Sequence, residues 1–169
     1  CPLSNGWTND LADGQDWTVH SGTTGSGSTG PTANGGADQN PGISGGHYLY
    51  TETSSGCNGN IANLISPEFQ NTAGMGNLFF EFWYHMYGST MGMLHIDISS
   101  DFGATWTNDI VPAWTDNQNL WQRSPPISLG AWSGDTVIVR LRFISGTNYY
   151  SDVAIDDVNI YDLLAEDAG

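Results

Sequence analysis

The amino-acid sequence predicts an all-β protein, specifically an antiparallel jelly-roll β-sandwich. Three observations carry that expectation. Short runs rich in aromatic and β-branched residues alternate polar and apolar positions, which is the period of a half-buried strand. Gly, Ser, Thr and Asn, among them 22 glycines, interrupt the 169-residue chain every few positions. Ala, Leu and Glu are sparse and Lys is absent, so the strong helix formers are missing where a helix would need them. Many short strands joined by glycine-rich turns pack as a sandwich or jelly roll.

Residues 1–20 hold Trp7 and Trp17 in a polar frame and predict an opening strand with a turn through Asp13-Gly14. Residues 21–46 carry almost no large apolar side chain, so they are expected to form a long surface loop. A loop of that length within a compact domain is usually functional. Residues 47–52 alternate with period two, and residues 60–69 give a further strand ending at Ser66-Pro67. The densest aromatic run, residues 77–87, is expected to be buried on at least one face. Residues 92–99 place Met93, His95, Asp97 and Ser99 on one face and Leu94, Ile96 and Ile98 on the other, as in a half-buried antiparallel strand. Residues 121–127 form another candidate. In residues 136–144, Arg140 and Arg142 share one face while Val139, Leu141 and Phe143 share the other. Residues 153–161 make the last strand. Residues 1–162 are therefore expected as one domain and 163–169 as a tail or linker.

The charge is lopsided. Eighteen acidic residues face three basic ones, Arg123, Arg140 and Arg142, for a formal net charge of −15. Such a chain repels phosphate backbones and anionic lipid, which excludes nucleic acid as a partner and argues against a membrane surface. No apolar run approaches the ~20 residues of a membrane span. The acids serve either solubility in a salty exterior or the grouping of carboxylates around a cation. A chain opening on Cys1 rather than Met reads as a mature or excised segment. Cys1 and Cys57 fit one disulfide and an oxidising exterior, with two free thiols as the other reading.

Ser99-Ser100-Asp101-Phe102-Gly103-Ala104-Thr105-Trp106 fits the Asp-box pattern S-x-D-x-G-x-T-W. The Asp side chain is expected to cap backbone N–H groups, Gly103 to take a positive φ, and Trp106 to pack beneath the turn, a structural role. Catalysis finds little support. There is no G-x-S-x-G elbow, and His20, His47, His85 and His95 show no H-E-x-x-H spacing. His85 is expected as a hydrogen-bonded core residue and His95 as solvated. Asp13, Asp16, Asp38, Asp152 and the Asp156-Asp157 pair stand out among the acids. Strict alternation groups Asp156 with Ala154, Val158 and Ile160, the more apolar set, which would press its carboxylate toward the core. A buried carboxylate needs a cation or strong donors. Asp156 is thus either a Ca²⁺ or Na⁺ ligand or an acceptor of backbone N–H groups or an arginine.

The segments GWTNDLADGQDW (6–17), TGP (29–31), GHYLYTETSS (46–55), FEFWYHMYGSTMGMLHI (80–96) and DVAIDDVNI (152–160) together resemble a MAM domain in order and spacing. The Asp box between them is similar to secreted bacterial members, including choice-of-anchor sandwich domains. The resemblance implies a jelly-roll sandwich, a secreted or cell-surface setting, and a non-catalytic role in adhesion or protein binding. It further implies attachment to a protease or polysaccharide-degrading enzyme and a structural Ca²⁺ or Na⁺ near the last strand. Asp38 and Asp156 match positions that carry the family's ion ligands. The family's opening Phe-Glu pair is absent, its place taken by Cys1-Pro2-Leu3-Ser4-Asn5. The expected partner is a protein or a cell-surface glycan, with self-association between copies as a variant. The alternative function is a carbohydrate-binding module, in which Trp114, Trp121 and Trp132 beside loops would stack on sugar rings.

Overall fold

The computed structural model describes residues 3–31, 36–54, 56–72 and 78–162. Among them are eleven strands: β1 (Thr8–Asn9), β2 (Thr18–His20), β3 (Tyr48–Thr51), β4 (Ile61–Ile65), β5 (Phe69–Gln70), β6 (Leu78–Tyr87), β7 (Met93–Ser99), β8 (Gln118–Arg123), β9 (Ile127–Ser128), β10 (Thr136–Ile144) and β11 (Asp152–Asp162). A 3-10 turn, Gly130–Trp132, precedes β10. The tail 163–169 and Cys1 lie outside the described residues; Cys57 is half-buried in the turn before β4.

The strands form two antiparallel sheets. One runs β1-β4-β10, with β7 on the far flank of β10 and β5 beside its start. The other runs β2-β3-β11-β6-β8, with β9 also along β6. Most connections cross from one sheet to the other, so the chain is the expected jelly-roll sandwich. Alternation decides what lies between the layers. From β10, Val137, Val139, Leu141 and Phe143 point inward and are fully buried; they meet Phe80, Phe82, Tyr84 and Met86 of β6, with Leu94, Ile96 and Ile98 from β7. Trp17 closes one end, its indole Nε1 donating to the Ala62 carbonyl at 3.1 Å. Aromatic rings are effective here because each removes a large apolar area from water, and their edge-on contacts add to that burial.

Boundaries differ from expectation where chemistry interrupts the pattern. The predicted strand 121–127 is split into β8 and β9, because Pro125 and Pro126 offer no N–H to the ladder. The expected opening strand is two short ones joined by a turn that Asp13 holds, accepting from Gln15 N (3.3 Å) and Asn63 N (2.6 Å).

The Asp box folds as its sequence requires. Asp101 accepts from Thr105 N (2.8 Å) and from the Thr105 hydroxyl (2.6 Å), which hold its carboxyl down at about 2. Gly103 sits at φ +84° against Trp106, and the Trp106 face carries the Arg140 guanidinium 4.2 Å from its centroid.

Candidate functional site

The outer face of the six-stranded sheet is where polar chemistry gathers. Strand β3 turns Tyr48 and Tyr50 outward, forming with Ala154 a second small cluster that Trp121 completes. Residues 21–31 and 36–46 do not hang free; they fold over this face. Tyr48 Oη donates to the Gly22 carbonyl at 2.6 Å, and Trp121 Nε1 donates to the Ala37 carbonyl at 3.1 Å. Thr29 hydrogen-bonds to Asp152. The described residues of this segment therefore form a lid whose backbone satisfies buried polar groups.

Asp152 lies beneath that lid with no exposed surface, accepting from Thr53 N (2.9 Å) and Tyr50 Oη (3.0 Å). Burial pushes its carboxyl up to about 6. Glu52 receives the same Tyr50 hydroxyl and that of Ser26, so one phenol bridges two carboxylates. His85, also fully buried, contacts the Trp121 ring and Asn119 Oδ1 (3.2 Å), and burial lowers its imidazole to about 4. It is a hydrogen-bonded core residue, as expected.

Asp38 and Asp156, the two residues carried by resemblance, come close enough that the Asp38 charge acts on Asp156. Asp38 is 2% exposed, and its Oδ1 accepts from Gly42 N and Ile43 N, both at 2.9 Å. Its Oδ2 occupies space that a side chain at Gly46 would fill, since a Cβ there would stand 1.7 Å away. That explains the glycine opening GHYLY. Asp156 accepts from Gln39 N (2.9 Å) and Asp157 N (2.8 Å); burial raises its carboxyl, with Asp157 and Asp38 adding repulsion. The pair offers hard oxygen donors without an arginine among the described hydrogen-bond partners, which suits a Ca²⁺ or Na⁺ ion. Among the described residues no group of three His, Cys, Asp or Glu side chains is placed to hold a metal ion, so carbonyl oxygens would have to complete a shell.

Asp156 does not face the core: it shares the outer face with Ala154, and the strict alternation that grouped it with Val158 and Ile160 breaks just after it. It lies on the outer face beneath the lid, while Val158 packs partly against the main core. The cause is a β-bulge: β11 pairs Asp156 with Trp83 and then Asn159 with Glu81, and Asp157 takes φ +44°. One extra residue flips the face on which those after it lie.

The outward face of the five-stranded sheet corrects a second expectation. His95 is not solvated; it is 8% exposed, with Nδ1 at 2.5 Å from Asp109 Oδ1. Beside it Asp97, fully buried, binds Arg142 Nε (2.7 Å) and Arg140 Nε (2.9 Å). Burial opposes the Asp97 charge, yet Arg142, the Asp109 N–H and Arg140 hold its carboxyl below the usual range. Sequence reasoning passed over this network, although Asp97, Arg140 and Arg142 fall on the polar faces of two candidate strands. The proposed sugar platform does not assemble. Trp114 packs on Phe82 (ring centroids 5.3 Å apart), Trp121 on Tyr48 (5.9 Å), and Trp132 against the core.

The profile of the family "MAM domain, meprin/A5/mu" matches residues 3–163. The chain belongs to the MAM domain family. MAM domain-containing glycosylphosphatidylinositol anchor protein 1 of Homo sapiens is 34% identical over 164 residues, covering 92% of this chain and 16% of the relative. This chain thus spans about a sixth of that protein's length. Among solved structures, the K1 cleaved adhesin domain of Lys-gingipain from Porphyromonas gingivalis W83 aligns with a TM-score of 0.61 at 17% identity, covering 95% of this chain and 92% of that one. The CBM22-1 xylan-binding domain of Paenibacillus barcinonensis Xyn10C aligns with a TM-score of 0.51 at 15% identity, covering 96% and 89%. At those identities the two structures share the fold. No helix among the described residues is long and apolar enough to cross a membrane.

Proposed function

We infer that this chain is a non-catalytic extracellular adhesion or protein-binding domain. In this reading it is an accessory unit of a secreted or cell-surface protein, bacterial in origin, such as a protease or polysaccharide-degrading enzyme. The observation that carries the reading is membership of the MAM family along residues 3–163, on a sandwich whose outer faces are sealed by a lid and an ion-pair network. With both faces committed to stability, recognition falls to the loops at the ends. Beads bearing the intact chain are expected to adhere to a cell layer, and prior protease treatment of that layer should remove the adhesion. Adhesion no better than that of beads bearing the unfolded chain would sink the reading.

A structural Ca²⁺ or Na⁺ held by Asp38 and Asp156 accompanies it. Two neighbouring carboxylates held by backbone N–H groups support this ion, which would tie the lid to β11. Added CaCl₂ should raise the melting temperature and EDTA lower it, with the response abolished in Asp156→Asn. An unchanged melting curve in CaCl₂, EDTA and NaCl alike would remove the ion.

A further inference from the structure

The loop between β10 and β11 carries adjacent tyrosines whose rings lie together. Tyr149 and Tyr150 have ring centroids 4.2 Å apart, tilted by 44°, with their hydroxyls 3.2 Å apart. Tyr149 is 50% exposed, although an exposed aromatic loses apolar contact that a polar residue would not miss.

This loop is held from several sides. The Tyr150 carbonyl accepts from both Thr90 N (3.1 Å) and Thr90 Oγ1 (3.2 Å), and Gly146 N donates to Ser151 Oγ at 2.7 Å. The contact is close enough to demand glycine on both sides. A Cβ at Gly146 would meet the Thr90 carbonyl at 1.7 Å, and one at Gly88 would meet the Tyr150 carbonyl at 2.3 Å. The tyrosines therefore stand on a rigid base, which lowers the entropy lost when a ligand settles on them.

A hollow opens on each side of Tyr150. One is walled by the 26–29 turn together with Tyr149; the other is walled by Tyr87, Ser89 and Asn117. Hydroxyls rim both, joined in the second by the Asn117 amide, and no Asp, Glu, Lys, Arg or His lines either. On a chain of net charge −15, that is a wall of uncharged side chains, with the Glu52 and Asp152 carboxylates held behind it by the Ser26 and Thr29 hydroxyls.

We propose that the Tyr149–Tyr150 pair, flanked by Tyr87, Asn117 and the 26–29 turn, binds a neutral glycan. A sugar ring has an apolar C–H face that stacks on an aromatic ring and a rim of hydroxyls that needs neutral donors and acceptors. Aromatic walls with a few polar groups supply both. Acidic sugars and phosphate-bearing ligands are repelled by the field of the whole molecule. A peptide would look for a deep apolar pocket, whereas these hollows are floored by glycine and serine. The site is separate from the three tryptophans considered from sequence, and it stands whether or not the domain also adheres through protein.

The test is native affinity electrophoresis of the intact chain in gels containing xylan, mixed-linkage β-glucan, galactan or galactomannan, with polygalacturonate as the acidic comparison. At least one neutral gel should retard the chain and polygalacturonate should not. Tyr149→Ala, an exposed change that leaves the core intact, should weaken that binding about tenfold, and Tyr149→Phe much less. Phe102→Ala, removing an exposed aromatic at the Asp box, should leave it unchanged. No retardation in any neutral gel, stronger retardation by polygalacturonate, or equal loss in the Tyr149 and Phe102 variants would overturn the site. Retardation without bead adhesion would sink the adhesive reading and spare this one.

Discussion

Burial moves two side chains on the outer face of the six-stranded sheet in opposite directions along the pH scale. It pushes the Asp152 carboxyl from 3.8 up to about 6 and pulls the His85 imidazole from 6.5 down to about 4. Folded Asp152 keeps a proton that the unfolded chain has released. Its contribution to stability is fully present below pH 3.8 and is lost as pH rises through about 6. Folded His85 refuses a proton that the unfolded chain accepts, so its contribution is present above pH 6.5 and lost as pH falls through about 4. The two largely cancel between pH 4 and 6. Each substitution should unmask the other group: across that interval the melting temperature of His85→Asn falls as pH rises, and that of Asp152→Asn climbs. Parallel slopes for the two variants in thermal unfolding would contradict this. His85 was legible from its place in an aromatic strand. Asp152 was not, because its burial depends on Thr29, 123 residues away, closing over it.

Among the strands, those with clean alternation were the ones the sequence made plain. β7 and β10 pair over Met93–Ser99 and Ile138–Ile144 with the polar and apolar faces read in advance. β11 was misread beyond Asp156, since a bulge leaves no mark in a run of Asp, Val and Asn that alternation alone can detect. The polar faces of β7 and β10 meet at Asp97, shared by two guanidinium groups. Asp97→Ala should therefore cost about 3–5 kcal/mol in denaturant unfolding, by stranding two half-buried cations. A loss under about 1 kcal/mol would mean the arginines find other partners. Glycines separate in the same way. Gly146→Ala forces a methyl onto the Thr90 carbonyl and should cost well over about 1 kcal/mol. Gly25→Ala, with nothing within 4 Å, should cost none. Equal losses in both would refute the close-approach argument.

At the scale of the whole molecule, the sandwich followed from composition and period, and the family resemblance followed from motifs spread along the chain. The lid could not be foreseen. A glycine-rich segment with almost no large apolar side chain carries no periodic signal, and it seals a face by lending backbone carbonyls to Tyr48 and Trp121. Charge placement was equally hidden. Only the pairing of β7 with β10 reveals that two of the three arginines are enclosed, with side chains 12% and 14% exposed.

That enclosure has a consequence for survival among secreted digestive enzymes. With no lysine in the chain and Arg140 and Arg142 locked to Asp97, trypsin-like proteases are left one accessible cleavage residue, Arg123, whose side chain is 58% exposed. Even there the backbone is engaged, for Arg123 pairs with Trp83 in the sheet. Limited tryptic digestion of the folded chain should leave it whole or nicked after Arg123 alone, and early cuts after Arg140 or Arg142 would show that β10 opens. A domain built this way can work beside a protease of trypsin-like specificity without being consumed by it.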